Sequence, residues 1–434
     1  TAGKPCIITS AGKAAQVAAS GATVTEAIGS VQYFDSGTQS YYNRRIDSTM
    51  LAGDKFLNVY EEGANQYPSA RIGQVGSDKT ITWGTEVVLT STAQRMSTKA
   101  VVHDTDNDRI GIFVEDYTSG TDPYKFYGAT ATYSGTTLTV GTFTDIGDID
   151  AGSPVKVWGH YDPDNEKVVV VVGGDTTFTT LTAMQIDISG STPSVDHSSA
   201  VSQDFDSNAF QPDRLAYDTN TNRFVYIYRD GGDSDKLQAR VLANSGTAFT
   251  WGADATIETS SEDVMCIAFD SDNNKMVVIY DSGEAMEYSV GTVTGGTTNT
   301  ASWTTGASLG TFGSVNTAPA IFYNSQASKF LIAMPKVGST DQEVHLYTAT
   351  LSGTTLSLGS TTYALADNVA NANPSDYAAI TGVFGSITGD PIVVSLPAIS
   401  HANPYYRLEA YVFDTGQTVG TNLTTSNFLG LAAA

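Results

Sequence analysis

Residues 213–230 read Asp-Arg-Leu-Ala-Tyr-Asp-Thr-Asn-Thr-Asn-Arg-Phe-Val-Tyr-Ile-Tyr-Arg-Asp, one complete β-hairpin. The first arm ends at Tyr217-Asp218, a polar turn covers Thr219 to Asn222, and the second arm, Phe224 to Tyr228, is β-branched and aromatic. The same unit returns as Val101-Val-His-Asp104 to Phe113 and as Trp158-Gly-His-Tyr-Asp162 to Val171. It returns again as Ile267-Ala-Phe-Asp270 to Tyr280 and as Ile321-Phe-Tyr-Asn324 to Ala333. A basic residue opens each second arm: Lys55, Arg109, Lys167, Arg223, Lys275 and Lys329, at intervals of 54, 58, 56, 52 and 54 residues. Such spacing marks a repeat architecture.

A second signature follows each hairpin. It reads Gly76-Ser-Asp-Lys-Thr-Ile-Thr-Trp-Gly84, Ser134-Gly-Thr-Thr-Leu-Thr-Val-Gly141, Ser245-Gly-Thr-Ala-Phe-Thr-Trp-Gly252 and Ser352-Gly-Thr-Thr-Leu-Ser-Leu-Gly359. Glycine and hydroxyl residues of this kind suit a tight turn between a third and a fourth strand. Four antiparallel strands every ~50 residues predict a β-propeller blade. A degenerate seventh hairpin runs from Tyr377 to Phe384 and from Gly389 to Ser395, with Pro391 in the frame position. Its third strand, Tyr406 to Phe413, has no marked fourth strand after it, whereas an unclaimed strand lies in Thr25 to Asp35, before blade one begins near Tyr41. The expected fold is therefore all-β, a seven-bladed propeller of four-stranded antiparallel blades whose last blade is closed by the N-terminal strand, which removes open sheet edges. Residues 1–21 read as a small polar hairpin and connector, 22–417 as the propeller, and 418–434 as a tail leading to a partner or a further module.

Composition agrees with this and excludes other classes. The 434 residues carry a formal net charge of -24, against the basic footprint of a nucleic-acid binder and against docking on anionic lipid. Thr, Ser, Gly and Tyr are abundant and no 10-residue stretch has a helical period. No apolar run reaches the 18 residues of a membrane span, so membrane insertion is not expected. Cys6 and Cys266 are too few and too far apart for a disulfide framework or a zinc site. The start at Thr1 and the Ala-Ala-Ala end suggest a segment of a longer polypeptide.

The hairpin turns resemble the first half of a calcium loop, as in Asp104-Thr-Asp-Asn-Asp108, Asp162-Pro-Asp-Asn-Glu166, Asp218-Thr-Asn-Thr-Asn222 and Asp270-Ser-Asp-Asn-Asn274. Such a loop needs Gly at its sixth position and Glu at its twelfth. Here the sixth is Arg109, Lys167, Arg223 or Lys275, a cation that would repel calcium, and the twelfth is Glu115, Gly173, Arg229 or Asp281, so only the first turn has the closing Glu. Asx turns joining two strands are the expected role, with no metal and no cofactor. A second acidic set stands where second arms end: Glu61, Glu62, Glu115, Asp116, Asp230 and Asp281. That end of a propeller carries the loops most variable in length, and variable loops on a rigid scaffold are where binding is placed. With Tyr117, Tyr124, Asp233, Asp235, Tyr405 and Tyr406 these acids form the candidate ligand-binding set, suited to a carbohydrate because rings stack on sugars and carboxylates accept their hydroxyls. No catalytic residue is assigned. The sequence has no Gly-x-Ser-x-Gly elbow, His-Glu-x-x-His pair or phosphate loop, and His103 fills a slot that aromatic residues hold elsewhere.

The links such as Ser245 to Gly252 are similar to the Asp-box turns of sialidase-type propellers, which also join third and fourth strands, but they lack the central Asp. The three-arginine cluster of that family has no counterpart motif among the arginines here. A second resemblance is to repeat-bearing virion proteins of marine tailed bacteriophages. It rests on Gly3-Lys-Pro-Cys-Ile-Ile-Thr-Ser-Ala-Gly-Lys13, on the blade core Ala216 to Asp230 with its Ser-Gly-Thr turn, and on Thr418-Val-Gly-Thr-Asn-Leu-Thr-Thr-Ser-Asn-Phe-Leu-Gly430. This resemblance implies a non-enzymatic structural or host-attachment protein on the virion surface, a fibre or appendage. Its implied partners are other virion proteins, copies of itself among them, and a host surface glycan. The alternatives are a sialidase-like glycan hydrolase and a bacterial extracellular adhesin. Carboxylates ~5 to 9 Å apart in a pocket would favour the hydrolase.

Overall fold

The computed structural model describes residues 5–8, 14–16, 23–34, 46–62, 67–90, 99–116, 124–149, 156–173, 180–202, 214–261, 265–282, 285–296, 299–311, 319–335, 344–365, 368–369, 380–384, 392–399, 406–418 and 428–431. They are nearly all strand; the one helical element among them is a 3-10 turn, Gly231–Asp233. Seven antiparallel sheets form the blades, and in six of them the strands lie side by side in chain order, the seventh taking its outer strand from the start of the chain. Blade 4 shows the plan: Leu215–Asp218 innermost, then Arg223–Asp230, then Lys236–Asn244, then an outer strand in two pieces, Phe249–Trp251 and Ala255–Ser261. The innermost strands of the other blades are Ile46–Leu51, Lys99–Asp104, Lys156–Asp162, Met265–Asp270, Ala320–Asn324 and Thr381–Phe384. Each lies against the innermost strands of the two neighbouring blades, and that of blade 7 against that of blade 1, so the ring closes.

The second strand of each blade explains the hairpin that opened the sequence. It is covered on both faces, so its alternate residues serve two different joints. In blade 4, Phe224, Tyr226 and Tyr228 pack towards blade 3, while Val225 and Ile227 pack towards blade 5. In blade 3, Val168, Val170 and Val172 face blade 2, and Val169 and Val171 face blade 4. Among the described residues the buried apolar side chains form seven clusters, one at each joint between neighbouring blades. The core is thus a ring of joints, and Cys266 belongs to one of them.

The N-terminal strand closes blade 7 as expected. Ala27–Ile28 and Gln32–Tyr33 pair with Tyr406–Asp414, giving the same two-piece outer strand seen in blade 4. Gly29 occupies the break, donating its amide to the Val412 carbonyl at 2.8 Å, just as Gly252 donates to Val241 at 2.8 Å. Phe34, fully buried, then fills the joint between blades 7 and 1 against Tyr60 and Trp83. The expected N-terminal hairpin forms between Pro5–Ile8 and Ala14–Gln16, and Phe428–Leu431 adds to its other edge. The two ends of the chain thus meet in a three-stranded sheet, and Thr23–Val24 also pairs with Gln417–Thr418.

Candidate functional site

One end of the ring carries the turns between first and second strands and between third and fourth strands; the other carries the remaining links. At the turn end, each acidic residue closing an innermost strand is buried and accepts its own turn's amides. Asp104 Oδ1 accepts from the amides of Asp106 and Asn107, both at 3.0 Å, and its Oδ2 from Asn107 Nδ2 at 2.9 Å. Asp162 and Asp270 repeat the full pattern, and Asp218 and Asn324 its backbone part. These are the Asx turns expected from the sequence. Among the described residues no cluster of three or more His, Cys, Asp or Glu could hold a metal ion.

The residue before each frame cation adopts a left-handed conformation: Asp54, Asp108, Glu166, Asn222, Asn274 and Ser328, with φ between 52° and 64°. The cation it leads to binds within the turn end. Arg223 donates to Asn299 Oδ1 at 2.7 Å and Arg109 to the Gly190 carbonyl at 3.3 Å, each on the next blade. Lys329 reaches Glu26 at 2.6 Å and the Thr415 carbonyl at 2.9 Å, which ties blade 6 to the closing strand. Lys167 stays in its own blade with Asp187 and, at 3.7 Å, Asp196. Burial alone would push the Asp187 carboxyl up, but the hydrogen bonds from Lys167 and Ser189 hold it down at about 2.

Neighbouring turns are also joined by a tyrosine. Tyr161 of blade 3 donates to Asp106 of blade 2, and Tyr323 of blade 6 donates to Asp272 of blade 5 at 2.7 Å. Burial, then the accepting carboxylate, pushes both phenols up. The third turn residues of blades 2 to 5 are Asp106, Asp164, Asn220 and Asp272, and the facing residues one blade on are Tyr161, Tyr217, Phe269 and Tyr323. The single Phe thus follows the single Asn. The final glycine of the second signature completes the joint: a Cβ on Gly84 or Gly252 would collide with the carbonyl of Thr136 or Asn299 in the next blade's turn.

The loop end holds the acids and tyrosines singled out from the sequence, spread over several blades. Glu61 and Glu62 end the second strand of blade 1, and Glu115 and Asp116 that of blade 2, with Tyr124 opening its third strand; Tyr406 opens the third strand of blade 7. These six are placed by their backbones. Tyr117 and Tyr405 lie outside the described residues. Asp230, Asp233 and Asp235 come together in one loop of blade 4. Asp230 Oδ1 caps the short 3-10 turn by accepting the Gly232 amide at 3.0 Å, Asp233 meets Lys236 at 2.9 Å, and Asp235 meets Arg229 at 3.1 Å. Asp281, half-buried, stands one residue before the end of the second strand of blade 5, opposite Met286.

Several anchoring residues escaped the sequence reading because their partners are distant in the chain. Arg71 donates to the carbonyls of Gly84 and Phe34, both at 2.7 Å, and so clamps the closing strand. Glu26 lies under Lys329, Thr348 and Tyr363. In blade 4, Asp254 gathers Tyr228 and Arg240, as Glu86 receives Tyr60 in blade 1. The one available signal was position, since Glu86 and Asp254 each stand three residues after a signature tryptophan. Arg214 packs its guanidinium over the Trp158 ring at 5.8 Å. The arginines whose side chains are described are each engaged in a contact on their own blade or at a joint.

No family model and no curated protein matches the chain. Solved structures do. The intramolecular trans-sialidase from Ruminococcus gnavus, in complex with oseltamivir carboxylate, is 11% identical with a TM-score of 0.47, over 88% of this chain and 96% of that one. Trypanosoma rangeli sialidase in complex with sialic acid is 9% identical with a TM-score of 0.44, over 91% of this chain but only 59% of that one. AofleA from Arthrobotrys oligospora is 9% identical with a TM-score of 0.45, over 77% of this chain and 89% of that one. At these values the likeness concerns the fold and bears on no activity.

Proposed function

We propose that the protein is a non-enzymatic β-propeller that presents its loop end to a glycan or to a neighbouring protein, as a structural or host-attachment component of a phage particle. The observation that carries the recognition half of this reading is the contrast between the ends. At the turn end, acids, cations and tyrosines are spent on one another in a repeated pattern. At the loop end the links differ from blade to blade, and acids with tyrosines stand at the ends of strands held rigidly by the ring. The virion half rests on the three sequence segments that resemble phage proteins.

Electron microscopy of the native source tests the placement. Copies at fixed, symmetric positions on a virion are expected; free discs alone would overturn it. A glycan array with the purified chain, paired with fluorogenic glycosides, tests the rest. Glycan binding without turnover is the expected result, and turnover above an uncatalysed blank would replace this reading with the hydrolase.

A further inference from the structure

The outer edge of blade 3 differs from those of the other blades. Its outer strand, Ser194–Ser202, is in one piece with a single bulge at Asp196. Beyond the bulge, His197 to Ser202 pair residue for residue with Gln185 to Thr180. In every other blade the outer strand is interrupted sooner. Among the described residues no unbroken run there exceeds four, the longest being Thr137–Val140, Thr300–Trp303 and 355–358. Breaks and bulges blunt a sheet edge, because its outward amides and carbonyls no longer line up for another strand. Blade 3 keeps them in line, and among the described residues its outer strand pairs only with Thr180–Asp187, so the other side of its backbone is open.

The side chains of this run suit a close approach. His197 and Val201 turn into the joint with blade 4, the His197 ring lying 4.7 Å from that of Phe249, and so hold the strand in place. Ser198, Ala200 and Ser202 alternate with them, are exposed, and are all small. No Asp, Glu, Lys or Arg lies between 197 and 202, and the bulged Asp196 is met by Lys167 at 3.7 Å and by Gln185 at 3.3 Å. Charge then decides what can dock. Two copies of a chain with a net charge of -24 repel one another, and strand pairing brings backbones within about 4.8 Å, where like charges face to face are destabilising. An uncharged edge is where a second copy can come that close.

We propose that the edge formed by residues 197–202 pairs antiparallel with the same edge of a second copy of this chain, so that two propellers share one continuous sheet across a two-fold axis. Centred on Ala200, the pairing sets Ala200 opposite itself and Ser198 opposite Ser202, where cross-strand hydroxyls hydrogen-bond. The interface is one strand wide, so association is weak, and it strengthens as salt screens the repulsion between two acidic bodies. The pairing is independent of what the loop end binds.

The test is sedimentation equilibrium of the full chain over about 1 to 500 μM, at low and high salt, with hydrogen exchange at both ends of the series. Dimers are expected at the top of the range and more of them at high salt. As they form, the amides of residues 197–202 that point out of the sheet exchange more slowly. Ala200→Lys sets two lysines opposite one another and weakens self-association by about tenfold or more, and Ser198→Lys weakens it by a smaller factor. Thr139→Lys, exposed on the outer strand of blade 2, adds the same charge and changes self-association by less than about twofold. Thermal unfolding of each variant separates lost pairing from lost fold, and Ser198→Lys keeps the test open if Ala200→Lys does not fold. A chain that stays monomeric throughout overturns the proposal. Dimers that Ala200→Lys leaves intact, or that Thr139→Lys weakens equally, would place the contact elsewhere and overturn it too. Outward amides equally slow at every concentration would mean that another part of this chain covers the edge, which also excludes the pairing.

Discussion

The same strands run through both ends of the ring, yet the two ends are built on opposite principles. At the turn end, Asp104, Asp162, Asp218, Asp270 and Asn324 repeat one hydrogen-bonding role, and Arg109 and Arg223 each reach the next blade's turn. At the loop end, the sequences of the links differ in length and residue type from blade to blade. Repetition marks the places where blades must fit one another. Substitutions should therefore cost stability at the turn end and very little at the loop end.

The largest effect is expected at the joints. The Gly252 Cα faces the Asn299 carbonyl of the next blade, so a methyl group there needs backbone movement in two blades. Gly252→Ala should lose about 3 kcal/mol or more in urea denaturation. Gly232→Ala, on the exposed 3-10 turn of the loop end, should stay within about 0.5 kcal/mol of the parent. Equal costs would erase the contrast between the ends.

Asp162 comes next. It is 2% exposed and accepts from its own turn and, at 2.8 Å, from Asn244 Nδ2 of blade 4. Asp162→Ala strands several donors at once and should cost about 2 to 3 kcal/mol. Asp233→Ala removes an exposed carboxylate paired with Lys236 and should cost less than about 0.5 kcal/mol. The measurement is the same denaturation midpoint, compared at constant slope.

A pH series sharpens the point. The Asp187 carboxyl is held at about 2 in the folded chain, below its ordinary value of about 3.9. Its stabilisation is thus fully present above about pH 4 and is lost as pH falls towards 2. Lys167 shifts the other way: burial works against its charge, but Asp187 raises its pKa overall, so its share persists below the ordinary lysine value and fades as pH climbs through the raised one. Lys167→Met should flatten the acid limb between pH 4 and 2 by on the order of 1 to 2 kcal/mol. An unchanged acid limb would show that Lys167 does not hold this carboxylate.

How far the sequence revealed this arrangement follows the same division. The blade frame was legible because Phe224 to Tyr228 is covered on both faces and every blade repeats that demand. Closure by residues 25–35 was legible because blade 7 lacked a fourth strand and one stood unclaimed. The break in the outer strand was not, since Gly29 and Gly252 show their purpose only when the neighbouring strand and turn are in place. Nor were Arg71 with Phe34 or Lys329 with Glu26, because their partners come from the far end of the chain or another blade and no local spacing encodes them. The Tyr161 to Asp106 contact lies between, visible in the pairing of Phe269 with Asn220 only when turns are compared with a one-blade offset. The acids of the loop end were legible as strand ends.

The smallest expected effect is a gain, and it probes whether the turns are optimised or merely repeated. Six turns place a residue other than glycine in the left-handed region, and in blade 3 that residue is Glu166, at φ 53°. Asn222 and Asn274 hold the same place in blades 4 and 5. Asn visits this conformation more readily, because its short side chain hydrogen-bonds locally, whereas a longer L side chain crowds the following carbonyl. Glu166→Asn should therefore stabilise the chain by about 0.5 kcal/mol, read as a rise in the urea midpoint. It also removes one of the acids of a chain whose net charge is -24, so the gain should be measured in high salt, where the charge contribution is screened and the backbone contribution remains. A gain that vanishes in salt would assign the effect to charge and leave Glu166 unstrained.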